Sequence, residues 1–433
     1  MPCRRWVFSW RRRCRRPTLV AVLFAPLLPL LFLLRNLPDP PLISPEPLDP
    51  DHGYSTGRAC HQVPPRLPPE SRPPACADLI AAEQATAAGA GLFASVVLIA
   101  HNEAGCALRR TVLAVLGPRT SPPDAIAEVI ILDDSSSPPS ETCLDAAGGL
   151  PARKLGYAAA PVRWLRSETR LGVARARMEA ARAAQAPVLV FLDAHCEPQD
   201  GWLPPLLALL ARSPEAVALP VIEPIDARSW KYRPGPLPEH PPRGVLADWN
   251  LTFGWRPLNV TERLQRSAEG ASSLGTLAPL ASPVMAGGVF AVRASWFFRS
   301  GGYDPGLEVW GLENVEMSLR VWTCGGAMYT LPCSRVGHVF RASQPFTWPN
   351  GSGALTVRRN AWRVASVWMD EVADAIGLGL NARALRALNG APGLEERREL
   401  RRQLGCKSFR WYLREVYPDH PPLPRGFRWL QLD

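Results

Sequence analysis

The sequence predicts an α/β fold built around a parallel sheet with helices on both faces. Short apolar runs alternate with helical segments along residues 94–192, and this alternation is typical of such sheets. Three of the runs end on residues that can bind a ligand or a metal, which are His101, Asp133 with Asp134, and Asp193 with His195. Because ligands bind beyond the carboxyl ends of parallel strands, the repeated placement indicates a binding site at one edge of the sheet.

Each predicted element follows from a local pattern. The apolar runs are β-prone and predict strands, whereas the segments between them have helical spacing or are rich in Ala and Arg and predict helices. In chain order the predicted strands are 94–100, 128–132, 162–165 and 188–192, and the predicted helices are 107–116 and 172–186. One polar residue at a strand end is ordinary turn chemistry, but three such ends favour a site.

The chemistry of that site points to a metal. No glycine-rich dinucleotide motif follows the first predicted strand, and the chain has no Walker-type lysine loop. The sequence therefore gives no evidence for either of these common phosphate-binding loops. Asp193 and His195 are two residues apart, and an extended chain puts both on one side. A carboxylate oxygen with an imidazole nitrogen suits a divalent ion such as manganese, and His338 is the best candidate for a third ligand.

The N-terminal region has the pattern of a membrane anchor. A basic tail, 1–16, holds seven arginines and precedes an uncharged stretch, 17–34, which is just long enough to span a bilayer. The tail predicts a cytoplasmic N-terminus and a luminal body, in a single-pass type II arrangement. A cleaved signal peptide is the alternative. The proline-rich stretch 35–75 predicts a semi-rigid luminal stem.

Two further patterns agree with a luminal body. N-glycosylation sequons begin at Asn250, Asn259 and Asn350. Eight of the ten cysteines follow the predicted anchor, where an oxidising lumen permits pairing. The net charge of +10 does not indicate nucleic-acid binding, because most of the excess arginines lie in the basic tail.

Longer motifs resemble those of one enzyme family. The stretch 190–207, VFLDAHCEPQDGWLPPLL, is similar to the Asp-x-His segment of the polypeptide N-acetylgalactosaminyltransferases, as is 283–290, PVMAGGVF. Residues 303–314 resemble the family's Gal/GalNAc-transferase motif. The segments 332–341, PCSRVGHVFR, and 367–371, VWMDE, complete a likeness that covers 95–418 in the family's order.

This resemblance implies a GT-A fold with a Rossmann-like mixed sheet that binds UDP-GalNAc and Mn²⁺. Such enzymes sit in the Golgi membrane and transfer GalNAc to Ser or Thr of acceptor proteins with retention, which begins mucin-type O-glycans. It also implies a single catalytic domain in three parts. These are a nucleotide- and metal-binding half at 76–225, a Gal/GalNAc-transferase motif half at 226–345, and a C-terminal part at 346–433 that ends without the family's usual lectin domain.

The resemblance also implies residue roles. Asp193, His195 and His338 are expected to bind the metal. Glu313 and Asn314 are expected beside the sugar and the acceptor as catalytic residues, although helix capping is the alternative reading of both. The expected substrate-binding residues are His101, Asp134, Arg170, Ala194, Trp310, Arg341 and Phe346. The expected disulfides are Cys76–Cys333 and Cys324–Cys406, and the pairing of Cys60, Cys106, Cys143 and Cys196 stays open.

The chain departs from the family pattern at three places. Ile99-Ala100 precede His101 where the family has other residues, which could weaken packing on uracil. Leu312 stands where a second glycine is usual, and a glycine there serves a positive φ or a close approach to the sugar. Phe346 replaces a tyrosine that contacts the donor. Three functions are therefore open: an active GalNAc-transferase, a catalytically inactive paralogue that binds or regulates in the secretory pathway, and a GT-A enzyme with another donor sugar.

Overall fold

The computed structural model describes residues 48–49, 54–56, 70–117, 124–146, 160–235, 240–268, 274–343, 347–348, 351–370, 372–375 and 391–422. The predicted cytoplasmic tail and anchor, 1–16 and 17–34, lie outside these residues. Among the helices that the structure describes, none is long and apolar enough to cross a membrane.

Strands and helices alternate through the first half of the domain as the apolar runs predict. The strands are β1 Ala94–Ala100, β2 Ile126–Asp134, β3 Val162–Ser167, β4 Val188–Asp193, β5 Cys196–Pro198, β6 Ala216–Ile225, β7 Arg243–Leu246, β8 Phe253–Arg256, β9 Leu280–Ala281, β10 Val289–Arg293 and β11 Ala327–Val339. The helices are α1 Cys76–Gly89, α2 Gly105–Leu116, α3 Ser140–Ala146, α4 Val173–Ala183, α5 Leu203–Arg212, α6 Val260–Ala268, α7 Ala294–Arg299, α8 Glu313–Thr323, α9 Gly353–Trp368, α10 Val372–Ala375, α11 Leu394–Gln403 and α12 Phe409–Glu415.

The main sheet is mixed, as the GT-A resemblance implies. Its strand order is β3-β2-β1-β4-β10-β6-β11-β5, with β9 paired to β11. The strands β3, β2, β1 and β4 are mutually parallel, which confirms the parallel arrangement predicted for the first half. Strand β10 runs antiparallel between β4 and β6, so the parallel order ends at β4. Strands β7 and β8 form a separate antiparallel pair.

Strand β4 shows how the sequence pattern places the site. Side chains alternate along a strand, so Phe191 faces one core, where it stacks on Phe290 at 4.8 Å between ring centroids. Val190 and Leu192 face the second core on the other side of the sheet. Both faces are covered, and Asp193 is the residue at which the buried strand ends.

Two disulfides expected from the family resemblance are present. Cys76 bonds to Cys333, which ties the start of α1 to β11, and Cys324 bonds to Cys406. Cys106 is also disulfide-bonded, whereas Cys143 and Cys196 are free thiols. Cys60 lies outside the described residues.

Part of the predicted stem, 35–75, belongs to the packed structure. Tyr54 and Ser55 are 0% and 1% exposed. Ser55 donates its backbone N–H to Ala227 O at 2.8 Å and accepts a hydrogen bond from Trp230 Nε1 at 2.9 Å. At these residues the chain is therefore packed against the domain; a spacer role for the remainder stays a prediction.

Candidate active site

A cleft of about 500 Å³ opens at the carboxyl ends of β1 and β4. Its volume is within the range of small-molecule sites, and its position is where ligands bind in sheets of this kind. The structure brings ten of the predicted site residues together in its wall. They are His101, Arg170, Asp193, Ala194, His195, Trp310, Glu313, Asn314, His338 and Arg341.

Three of these residues can hold a divalent metal. One ligand atom from each of Asp193, His195 and His338 lies within 4.8 Å of the other two. His338 Nε2 is 3.1 Å from Asp193 Oδ2, close to the separation of about 3 Å that two ligands of one octahedral ion adopt. An oxygen and two imidazole nitrogens form a donor set that first-row divalent ions accept. The residues therefore fit a metal site.

Glu103 fixes the orientation of one ligand. Its Oε2 is 3.1 Å from His195 Nδ1 and also accepts from Arg341. When Nδ1–H of His195 donates to this carboxylate, the lone pair is on Nε2, the nitrogen that can bind a metal. A carboxylate behind a metal-binding histidine is the usual way to set its tautomer. No sequence pattern assigned Glu103 a role.

The protonation states suit metal binding. Burial works to raise the pKa of Asp193, but the His338 hydrogen bond and the Arg177 charge outweigh it and hold that pKa well below its usual range. Burial, followed by the charge of Arg341, lowers the pKa of His195. Asp193 is therefore ionised and His195 neutral at neutral pH, which are the forms that ligate metals. Burial and Arg170 lower the pKa of His101 to about 4.

Arg177 pairs with the metal-ligand candidate Asp193 and with the buried Tyr303. Its Nη2 donates to Asp193 Oδ1 at 2.8 Å, and its Nη1 donates to Tyr303 Oη at 3.2 Å. The side chain is 3% exposed. Arg177 lies on α4 among alanines and other arginines, and no local signal separates it from them.

Two glycines let the backbone approach these residues closely. A β-carbon on Gly288 would lie 2.4 Å from Asp193 Oδ2, and one on Gly287 would lie 2.6 Å from Asn314 Cβ. Gly287 also has φ +87°, a conformation that favours glycine. The two glycines at 287 and 288 therefore leave the space that Asn314 and Asp193 occupy.

The segment 309–314 lines the same cleft as the metal-ligand candidates. Glu313 Oε2 accepts from Gly311 N at 2.8 Å, and Asn314 Nδ2 donates to Met285 O at 2.9 Å. Burial raises the pKa of Glu313, against the lowering effect of the Arg177 charge. Trp310 is 40% exposed at the rim.

Leu312 occupies a left-handed position, at the place where the family resemblance implied a glycine. Its φ is +73° and its ψ −7°, while the side chain is 7% exposed and lines the cleft. For a residue with a β-carbon this conformation costs about 1–2 kcal/mol. The leucine therefore strains the backbone and fills space beside Glu313.

Asp134 is buried beneath the cleft and holds a loop. Its carboxylate accepts backbone N–H bonds from Leu171 at 2.6 Å and Gly172 at 3.0 Å, and it pairs with Arg170. Gly172 is in turn packed against Val309, because a β-carbon there would lie 2.7 Å from Val309 Cα. Asp134 thus positions the segment that carries Arg170, and its contact with a nucleotide stays a prediction.

The remaining predicted residues have different environments. Ala194 is 1% exposed, and its carbonyl accepts from Thr111 Oγ1 at 3.0 Å. Asn250 is exposed in the cleft wall. Asn259 Oδ1 accepts from Glu262 N at 2.9 Å at the start of α6. Phe346 and Asn350 lie outside the described residues.

Comparisons with known proteins agree with this geometry. The protein-family model for "Glycosyl transferase family 2" matches residues 95–274, and the family model for "N-terminal domain of galactosyltransferase" matches residues 276–344. Polypeptide N-acetylgalactosaminyltransferase 4 of Caenorhabditis elegans is 40% identical over 356 residues, which are 82% of this chain and 55% of that protein. Polypeptide N-acetylgalactosaminyltransferase 6 of Homo sapiens is 40% identical over 355 residues, 82% of this chain and 53% of that protein.

A solved structure shows the same architecture. The crystal structure of GalNAc-T7 with UDP, GalNAc and Mn²⁺ aligns with a TM-score of 0.68 and 29% identity, over 90% of this chain and 71% of that one. This match and the matched family model, together with the mixed sheet and the candidate Asp-x-His metal site at its strand ends, show a glycosyltransferase of the GT-A class. Within that class the chain belongs to the polypeptide N-acetylgalactosaminyltransferase family. It spans about half the length of the curated relatives that it matches.

Proposed function

We propose that this protein transfers GalNAc from UDP-GalNAc to Ser or Thr hydroxyls of proteins with retention of configuration, and so begins mucin-type O-glycans. The observation that carries the proposal is the assembly of the Asp193–His195–His338 cluster and the Glu313–Asn314 pair in one cleft. Two findings support it: the relatives are named as polypeptide N-acetylgalactosaminyltransferases, and the crystal structure of GalNAc-T7 contains UDP, GalNAc and Mn²⁺.

The end of the cleft beside β4 would hold the diphosphate. Asp193, His195 and His338 would bind Mn²⁺, which would neutralise the charge that develops on the UDP leaving group. Arg341 Nε is buried and has no hydrogen-bond partner among the described residues. A buried guanidinium N–H needs an acceptor, and a phosphate oxygen would supply one with a charge-assisted bond.

The opposite end would receive the sugar and the acceptor. Glu313 is held by its hydrogen bond from Gly311 N, and Asn314 by its hydrogen bond to Met285 O. Both side chains are less than 10% exposed, so they have little freedom to move when substrate binds. We assign Glu313 to orienting the sugar and stabilising positive charge at its anomeric carbon. The exposed Trp310 would cover the donor and contact the acceptor.

A donor panel tests this proposal. The purified full-length chain should transfer GalNAc from UDP-GalNAc to a Thr-rich peptide with Mn²⁺, and it should use UDP-Gal and UDP-GlcNAc far less. Asp193→Ala should abolish transfer, whereas Asp145→Ala, at an exposed position on α3, should not. Equal transfer by Asp193→Ala would refute the assigned metal site, and a preference for UDP-Gal or UDP-GlcNAc would refute the donor.

Leu312 favours a second candidate, an inactive paralogue that binds the donor without transferring it. Its strained backbone and its side chain beside Glu313 could exclude the sugar from the reactive position. In that case the chain would bind UDP with Mn²⁺ but show no transfer to any peptide, and Leu312→Gly would restore activity. Transfer by the wild-type chain would refute this candidate.

We further propose that the chain is a single-pass type II protein of the Golgi membrane with its catalytic domain in the lumen. The basic tail 1–16, the apolar stretch 17–34 and the sequons support this location, as does a domain with paired cysteines. In sealed microsomes the catalytic domain should resist protease until detergent is added. Digestion of the domain without detergent would refute the topology, and a C-terminally tagged chain that does not co-localise with a Golgi marker would refute the compartment.

A further inference from the structure

A tyrosine from the predicted stem reaches the back of the candidate metal site. Tyr54 is 0% exposed and donates its hydroxyl proton to Glu103 Oε1. Its ring packs edge-on against Trp230 at 5.3 Å between centroids, and the Arg341 guanidinium lies 5.5 Å from the ring centroid. The residue precedes β1 by forty positions in the chain, so it is an addition from outside the α/β fold.

Tyr54 and the metal ligand His195 share the same carboxylate. Oε1 of Glu103 accepts from Tyr54, and Oε2 accepts from Arg341 and lies 3.1 Å from His195 Nδ1. A carboxylate with one oxygen fixed can rotate only about that contact. The hydroxyl therefore restricts the oxygen that contacts His195 Nδ1 and helps to hold the orientation of that ring, together with Arg341 Nη2 at 3.0 Å from the same nitrogen.

We propose that Tyr54 is a positioning residue for the metal site: its hydroxyl holds Glu103 so that Glu103 presents His195 Nε2 to the ion and Arg341 to the donor phosphates. The inference rests on the metal and donor site of the proposed function. The segment before the nucleotide-sugar fold then contributes to metal affinity through Glu103. Ser55 secures that segment through its bonds with Ala227 and Trp230.

The ring and the hydroxyl of Tyr54 make different contacts, so their effects can be tested separately. The ring fills space against Trp230 and Arg341, and a phenylalanine would do the same. The hydroxyl alone contacts Glu103. Tyr54→Phe therefore keeps the packing and removes the hydroxyl's bonds to Glu103 and to the Ala104 backbone, which makes it a sharper test than deletion of the segment.

The experiment measures Mn²⁺ binding in the presence of UDP by electron paramagnetic resonance, with the full-length chain so that Tyr54 is included. Tyr54→Phe should weaken Mn²⁺ binding about 3- to 10-fold, below the 10- to 100-fold loss typical of a direct partner of a metal ligand. The matched control is Tyr417→Phe, because Tyr417 is also buried and donates to Leu246 O at 2.8 Å, outside the cleft. It should change Mn²⁺ binding less than about 2-fold.

A double-mutant cycle separates positioning from general stability. If Tyr54 acts through Glu103, Tyr54→Phe should add no further loss of Mn²⁺ affinity in a Glu103→Ala background, which has no side-chain acceptor for the hydroxyl. Unchanged affinity in Tyr54→Phe, or a full additional loss in the double variant, would overturn the inference while leaving the proposed function intact. A wild-type chain that fails to bind Mn²⁺ with UDP would overturn both.

Discussion

Substituting Leu312 by glycine and by alanine separates two effects that coincide at this position. The backbone is left-handed, with φ +73°, so any residue with a β-carbon is strained there. The side chain is also part of the apolar core, 7% exposed and packed with the residues of α8 and α9. Both substitutions remove the buried side chain, but only glycine removes the strain.

At position 312 we expect the glycine variant to be more stable than the alanine variant, which reverses the usual order of these two residues. Removing a buried leucine to alanine costs about 2–5 kcal/mol, so both variants should be less stable than the wild type. Glycine ordinarily costs about 0.5–1 kcal/mol relative to alanine. Relief of a left-handed strain of about 1–2 kcal/mol outweighs that cost. Leu312→Gly should therefore be more stable than Leu312→Ala by roughly 0.5–1 kcal/mol.

Denaturant unfolding of the full-length variants measures this difference. The matched control is the same pair at Leu319, which is fully buried within α8. There the usual order should hold, with alanine more stable than glycine by about 1 kcal/mol. If Leu312→Ala were as stable as Leu312→Gly, or more so, the strain argument at Leu312 would fail.

Three other predictions follow from single features of the structure. Gly288→Ala should abolish Mn²⁺ binding in an equilibrium-dialysis assay, because its β-carbon would lie 2.4 Å from Asp193 Oδ2. Burial works to raise the pKa of Glu262, but its pairing with two arginines lowers it to about 2. Its ionised form therefore stabilises the fold above the ordinary pKa near 4.5. The destabilisation caused by Glu262→Gln, measured by urea unfolding, should shrink as pH falls from 4.5 toward 2. The double substitution Cys324→Ser and Cys406→Ser should lower the free energy of unfolding by about 2–5 kcal/mol, since the bond closes a loop of 82 residues.

Each of these predictions has a matched control. Gly89→Ala should leave Mn²⁺ binding unchanged, because a β-carbon there meets nothing within 4 Å. Asp145→Asn, at an exposed position, should have little effect on the free energy of unfolding. Cys143→Ser should not alter unfolding as the double substitution does, since Cys143 is a free thiol. Normal Mn²⁺ affinity in Gly288→Ala, a pH-independent effect of Glu262→Gln, or wild-type stability without the Cys324–Cys406 bond would each contradict the corresponding argument.

Local patterns predicted much of the fold because they report on burial. The apolar run at 188–192 is buried on both faces, and its end places Asp193 and His195 at the sheet edge. The same logic could not predict β10, which inserts antiparallel beside β4 from about a hundred residues later in the chain. Pairings over such separations depend on tertiary packing and leave little trace in local periodicity.

The site was predicted where ligand chemistry is local and missed where it depends on distant contacts. The Asp-x-His spacing and the family resemblance together identify the metal cluster. Arg177 lies on a helix among similar residues, and its contact with Asp193 arises only when α4 packs on the sheet. The bond between Tyr54 and Glu103 spans 49 positions and begins in a segment whose proline-rich composition predicts a spacer. The left-handed backbone at Leu312, in contrast, agrees with the glycine that the family resemblance implied for this position.

Metal-dependent transfer tests the central claim most directly. The full-length chain, stripped of metal with EDTA, should not transfer GalNAc from UDP-GalNAc to a Thr-rich peptide, and added Mn²⁺ should restore transfer. The glycopeptide product should carry an α-linked sugar, as nuclear magnetic resonance of the anomeric proton will show, because the proposed reaction retains the configuration of the donor. A β-linked product, equal transfer without any metal, or a folded wild-type chain that transfers to no peptide would contradict the account.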